Sequence, residues 1–105
     1  MRIGAALEAL DLTLSDFSEL DRRQKLLAYS VVQAINERLR GIARARGMSL
    51  SIINAQLLKI QFSVESLAGM GGGRQSEEAH FADARAALDA LSGPDCFGYN
   101  LDEIE

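Results

Sequence analysis

SLSIINAQLLKIQFSVESLA, residues 49–68, carries charge only at Lys59 and Glu65. Leu50, Ile53, Leu57, Ile60, Val64 and Leu67 recur at helical spacing. Ala55, Leu58 and Phe62 form a second apolar set on the opposite side. A helix at the surface of a globular protein shows one apolar stripe, so a helix apolar on two sides needs cover on both. In a chain of 105 residues, part of that cover is expected from another subunit. The eight apolar positions from Leu50 to Leu67, Leu58 and Phe62 included, are therefore the expected core and interface.

On the N-terminal side, Gly47-Met48-Ser49 reads as a tight helix–helix turn. Gly47 suits the left-handed position that closes a helix, and Ser49 suits the cap that opens one. Before it, Phe17, Leu20, Leu27, Val31, Ile35, Leu39 and Ile42 make a long stripe, widened by Ala28, Ala34 and Ala45. The spacing predicts a long helix within 15–47, capped at Thr13, Ser15 or Ser18. About 30 residues at 1.5 Å each span about 45 Å. A compact chain of this length has a radius of gyration of about 13 Å, so such a helix would overhang its own domain. That overhang is a second reason to expect a homodimer. Helices 18–46 and 49–68 are expected to pack antiparallel, with two such hairpins joined around Ile53, Leu57, Ile60 and Val64.

Ile3, Ala6, Leu7 and Leu10 predict a short N-terminal helix within 1–14, with Leu12-Thr13-Leu14 as an extended connector. C-terminal to the core helix, Gly69 to Arg74 reads as a Gly-rich linker. A third helix is expected over 75–92, capped by Ser76 and stopped by Ser92-Gly93-Pro94, with a narrower stripe of Phe81, Ala84, Leu88 and Leu91. An acidic tail, 93–105, follows. The expected fold class is all-α: a long antiparallel helical hairpin, a short N-terminal helix and a third C-terminal helix, forming a helical bundle as a dimer.

Composition fits a single folded domain. Apolar residues make up 48% and charged residues 25%, with a single Pro and no Trp. The net charge of −4 is unevenly spread. Residues 15–47 hold seven basic and four acidic residues, whereas 74–105 hold two basic and eight acidic. Internal pairing of an acidic third with a basic helix is the simplest reading. The lone Cys96 permits no disulfide within the chain, which fits a reducing compartment. The N-terminus lacks the pattern of a signal peptide, and no stretch reaches the length of a membrane span. A cytoplasmic protein with no membrane partner is expected.

Candidate sites are few. Met70 to Arg74 is glycine-rich but lacks the Lys-Ser/Thr of a phosphate-binding loop. Glu77-x-x-His80 has the spacing of helical di-iron ligands, but the further inward glutamates are missing and His80 is the only histidine. It is read as a solvated helix start, with no metal. A catalytic Cys96 would need a base, for which His80 is the only imidazole, and Asp95 disfavours a thiolate, so Cys96 is read as an incidental tail cysteine. No cofactor is expected. Arg40 and Arg44, one helical turn apart, offer a ridge that could meet phosphates or an acidic partner. The helix after Gly47-Met48-Ser49 is too long and too little charged to be a recognition helix. Phe97, Tyr99, Leu101 and Ile104 alternate with acids, as in a docking tail or a tail folded back on its own helices.

Catalytic residue types are scarce and apolar helical surface is abundant. The expected function is thus a non-enzymatic protein–protein interaction module: an adaptor, small chaperone or regulatory subunit. The alternative is a small nucleic-acid-binding regulator using the arginine face.

Overall fold

A computed structural model describes residues 3–69, 76–94 and 96–98. It shows four α-helices: α1 (Ile3–Asp16), α2 (Arg22–Ala45), α3 (Leu50–Leu67) and α4 (Glu77–Ser92). No strand occurs among the described residues. The all-α class is as expected. Most of the Gly-rich linker and most of the acidic tail lie outside the described residues.

The N-terminal half differs from the sequence expectation. Leu12, Thr13 and Leu14 are helical, because α1 continues to Asp16. Thr13 and Ser15 do not cap a new helix. Their hydroxyls donate to the carbonyls of Ala9 and Asp11, one turn back in α1. A single 3-10 turn, Phe17–Glu19, follows, and Leu20 is extended. The long helix starts only after Asp21. The Asp21 carboxylate accepts from the Gln24 N–H at 2.8 Å, and the Gln24 side chain accepts from the Asp21 N–H at 2.9 Å. This reciprocal capping box satisfies two backbone donors that would otherwise be lost at the helix start.

The shortened α2 removes the overhang. Its 24 residues span about 36 Å, and the longest dimension of the described chain is 36 Å. The buried face of α2 is also rotated from the expected stripe. Val32, Ile35, Asn36, Leu39 and Ala43 are buried. Leu27 and Val31 are instead 61% and 49% exposed, and Ala34 and Ala45 also face solvent. Adjacent apolar pairs at 27/28, 31/32 and 42/43 allow either of two stripes that share Ile35 and Leu39. Polar Asn36 disguises the one that is used.

The turn into α3 follows the sequence closely. Gly47 has φ +67°. Its N–H donates to Arg44 O, and the Met48 N–H donates to Ala43 O at 2.9 Å. These are the two bonds of a Schellman closure, and partly buried Met48 packs on the core beyond it. Ser49 is the N-cap residue of α3, although its hydroxyl lies beside that of Ser51 rather than on the backbone. Ser76 does cap α4, accepting from the Ala79 N–H.

Ile53, Leu57, Ile60 and Val64 form the inner face of α3, with Leu50 and Leu67 partly buried at its ends. Their cover comes from the chain itself. α3 packs against α2 on one flank and α4 on the other, while α1 lies against both α2 and α4. Ile3, Leu7, Leu10, Leu14 and Phe17 complete the core from the N-terminal side. The four residues expected at the centre of a dimer are therefore enclosed within one chain.

Two contacts fasten α4 to α1 and the turn that follows it. Phe81 meets Phe17 edge-on, with ring centroids 6.4 Å apart. Arg85 pairs with Asp11. Beyond α4, the Phe97 N–H donates to Leu91 O and turns the chain back. Cys96 and Phe97 are consequently buried against the core.

Candidate interaction groove

α3 and α4 are joined by residues 68–76 and run antiparallel. Phe62, late in α3, lies beside His80, early in α4. Outside their buried seam the two helices leave an open groove of about 550 Å³. Its α3 wall contains Ala55, Leu58, Lys59 and Phe62, and its α4 wall contains Asp83, Ala86, Ala87 and Ala90.

The groove is built by a difference in side-chain size. On α4, positions 83, 86, 87 and 90 share one face, and three of the four are alanine. A methyl group leaves the space beside the backbone open. On α3, Leu58 and Phe62 stand one turn apart on the same wall. They remain 54% and 56% exposed, unlike Leu57 and Ile60, which are fully buried. Leu58 and Phe62 lie on a different face of α3 from the Ile53–Val64 stripe, but the chain leaves that second face exposed rather than burying it as core. Its small-residue opposite wall carries no apolar stripe bold enough to announce itself.

At one end, Phe62 leans on His80 with an interplanar angle of 61°. His80 is only 4% exposed, so it is not the solvated helix start expected from sequence. The α3–α4 hairpin folds over it. Its Nδ1 has no hydrogen-bond partner among the described residues. Glu77, three residues earlier, is exposed. Among the described residues, no three His, Cys, Asp or Glu side chains cluster as metal ligands.

The arginine pair divides. Arg40 is held at the α2–α3 seam: its Nε donates to Asn54 Oδ1 at 2.7 Å and its Nη1 meets Glu37 at 2.5 Å. Its side chain is only 16% exposed. Arg44 is exposed. The expected Arg40–Arg44 ridge therefore reduces to Arg44 and the exposed Arg38 and Arg46 beside it. Phe97 packs inward, while Tyr99, Leu101 and Ile104 lie outside the described residues.

A buried polar residue that the sequence reading passed over is Asn36. Its Nδ2 donates to Leu57 O at 3.3 Å, and its Oδ1 has no partner among the described residues. The sequence signal lies in its position, one helical turn after Val32 and two before Ala43. A further exposed apolar cluster, Leu26, Leu27 and Val31, lies on α2. No helix among the described residues is long and apolar enough to cross a membrane.

The chain matches no family model, no curated protein and no solved structure.

Proposed function

We propose that this protein is a non-enzymatic interaction module that receives an amphipathic helix along the α3–α4 groove. The observation carrying the proposal is the exposure of Leu58 and Phe62 along a groove whose other wall is lined with alanines. Leu58 and Phe62, one turn apart on α3, give the groove an apolar wall against which the apolar face of a bound helix packs. Each side chain would lose roughly 1–2 kcal/mol of unfavourable hydration on being covered. The polar rim, Lys59 and Asp83, supplies orientation rather than much affinity.

The test compares tagged wild-type chain with the Leu58→Glu/Phe62→Glu double variant as baits in cells of its own source. Both substitutions fall on exposed positions, so the variant keeps its helical circular dichroism. At least one protein retained by the wild type is lost from the variant. Identical retained proteins would refute the proposal.

A further inference from the structure

We infer that the groove is covered by the same α3–α4 face of a second copy of this chain, the two related by a two-fold axis between the helices and parallel to them. The inference rests on the docking reading above and names its partner.

Symmetry makes the first argument. A two-fold rotation about such an axis sets α3 of one copy on α4 of the other and repeats that contact on the far side. Because α3 and α4 are antiparallel within a chain, they are also antiparallel across the axis. Four helices then form a bundle in which every neighbouring pair runs antiparallel, a common way for helices to pack.

Size complementarity makes the second. The large apolar side chains on this face, Leu58 and Phe62, are on α3, and the apolar residues of α4 there are alanines, Ala86 and Ala90 among them. The two-fold brings the bulky wall of each copy onto the small wall of the other. Large residues facing small ones let opposed helices interdigitate.

Charge makes the third. Lys59 is on α3 and Asp83 on α4, both exposed at the groove. Stacking α3 on α3 would oppose Lys59 with Lys59 and Asp83 with Asp83. Stacking α3 on α4 gives each lysine an aspartate of the other copy, twice per dimer. Like charges brought together would disfavour the wrong arrangement, so the rim selects the one that the side-chain sizes also prefer.

Light scattering after size exclusion, run over a dilution series, tests this. The wild type is expected at twice the chain mass of 11.4 kDa. Leu58→Glu/Phe62→Glu is expected at the single-chain mass with its helix content intact. Lys59→Asp alone and Asp83→Lys alone each oppose like charges at both contacts and weaken self-association by about tenfold. An equal mixture of those two chains has opposite charges at both contacts, and it recovers the wild-type mass.

A wild type that stays monomeric overturns the inference. So does a dimer unmoved by Leu58→Glu/Phe62→Glu, or a charge-reversed mixture that recovers nothing. A monomer whose bait still loses a retained protein on Leu58→Glu/Phe62→Glu overturns the second copy and leaves the docking reading standing. Identical baits refute both.

Discussion

Arg40 clasps α2 to α3 through Asn54, with its Nε 2.7 Å from Asn54 Oδ1 and its Nη1 braced on Glu37. A mostly buried guanidinium with a side-chain acceptor supports the fold at that seam. Arg40→Met and Asn54→Ala should each lower stability by about 1 kcal/mol. In urea denaturation the double variant should lose less than the sum of the two, because the shared bond can be removed only once. Full additivity would mean that the contact contributes nothing in solution. The same clasp bears on nucleic-acid binding. Arg40→Glu would disturb the fold, so Arg44→Glu, at an exposed position, is the cleaner probe of that alternative.

Asn36 and His80 each bury one polar atom that has no partner among the described residues. Such an atom gives up its hydration without replacement. Asn36→Leu and His80→Phe are near in size and remove the orphan, so each should raise stability by about 1 kcal/mol. Thermal unfolding of the two variants checks this. A lower midpoint would mean that these atoms do find partners.

Gly41 and Gly47 should respond to alanine with opposite signs. An added Cβ meets nothing within 4 Å at either site, so neither response is steric. Gly41 is exposed within α2, and Gly41→Ala should stabilise by about 0.5–1 kcal/mol through reduced freedom of the unfolded chain. Gly47 has φ +67° and closes the same helix. Gly47→Ala should destabilise by about 1 kcal/mol, the cost of a left-handed L-residue. Equal effects at the two positions would contradict the described turn.

Ile60 and Leu58 lie two residues apart on α3 and should behave as opposites. Ile60 is fully enclosed. Ile60→Asp buries an unpaired charge at a cost of several kcal/mol, comparable with the stability of a whole domain. Loss of the helical circular dichroism signal is expected. Leu58→Asp should leave that signal in place. A folded Ile60→Asp would place the core elsewhere.

Most of this architecture is legible in the sequence where one residue type has one use. Gly47 and Ser76 mark their helix ends, and the Ile53–Val64 stripe is the inner face of α3. The reading fails where two patterns compete. Phe17, Leu20 and Leu27 continue the apolar spacing smoothly across the α1–α2 break, and this masks the Asp21-x-x-Gln24 cap that enforces it. Leu27 and Val31 advertise an inner face, yet their neighbours Ala28 and Val32 occupy it. Burial of His80 depends on how the α3–α4 hairpin closes, which no local pattern encodes. Half of the candidate groove was visible as Leu58 and Phe62. Ala86 and Ala90 matter through the space they leave, and periodicity does not register a space.

The pairing of Asp11 with Arg85 links residues 74 positions apart. With Phe17 against Phe81, it makes the first helix dependent on the last. On a ribosome, the N-terminal segment leaves the exit tunnel long before α4 has been translated. The apolar side that α1 will give to α4 stays unclaimed until α4 itself has been made. Chains stalled before residue 77 should therefore be the protease-sensitive, chaperone-bound species during biosynthesis, and completion of α4 should release them.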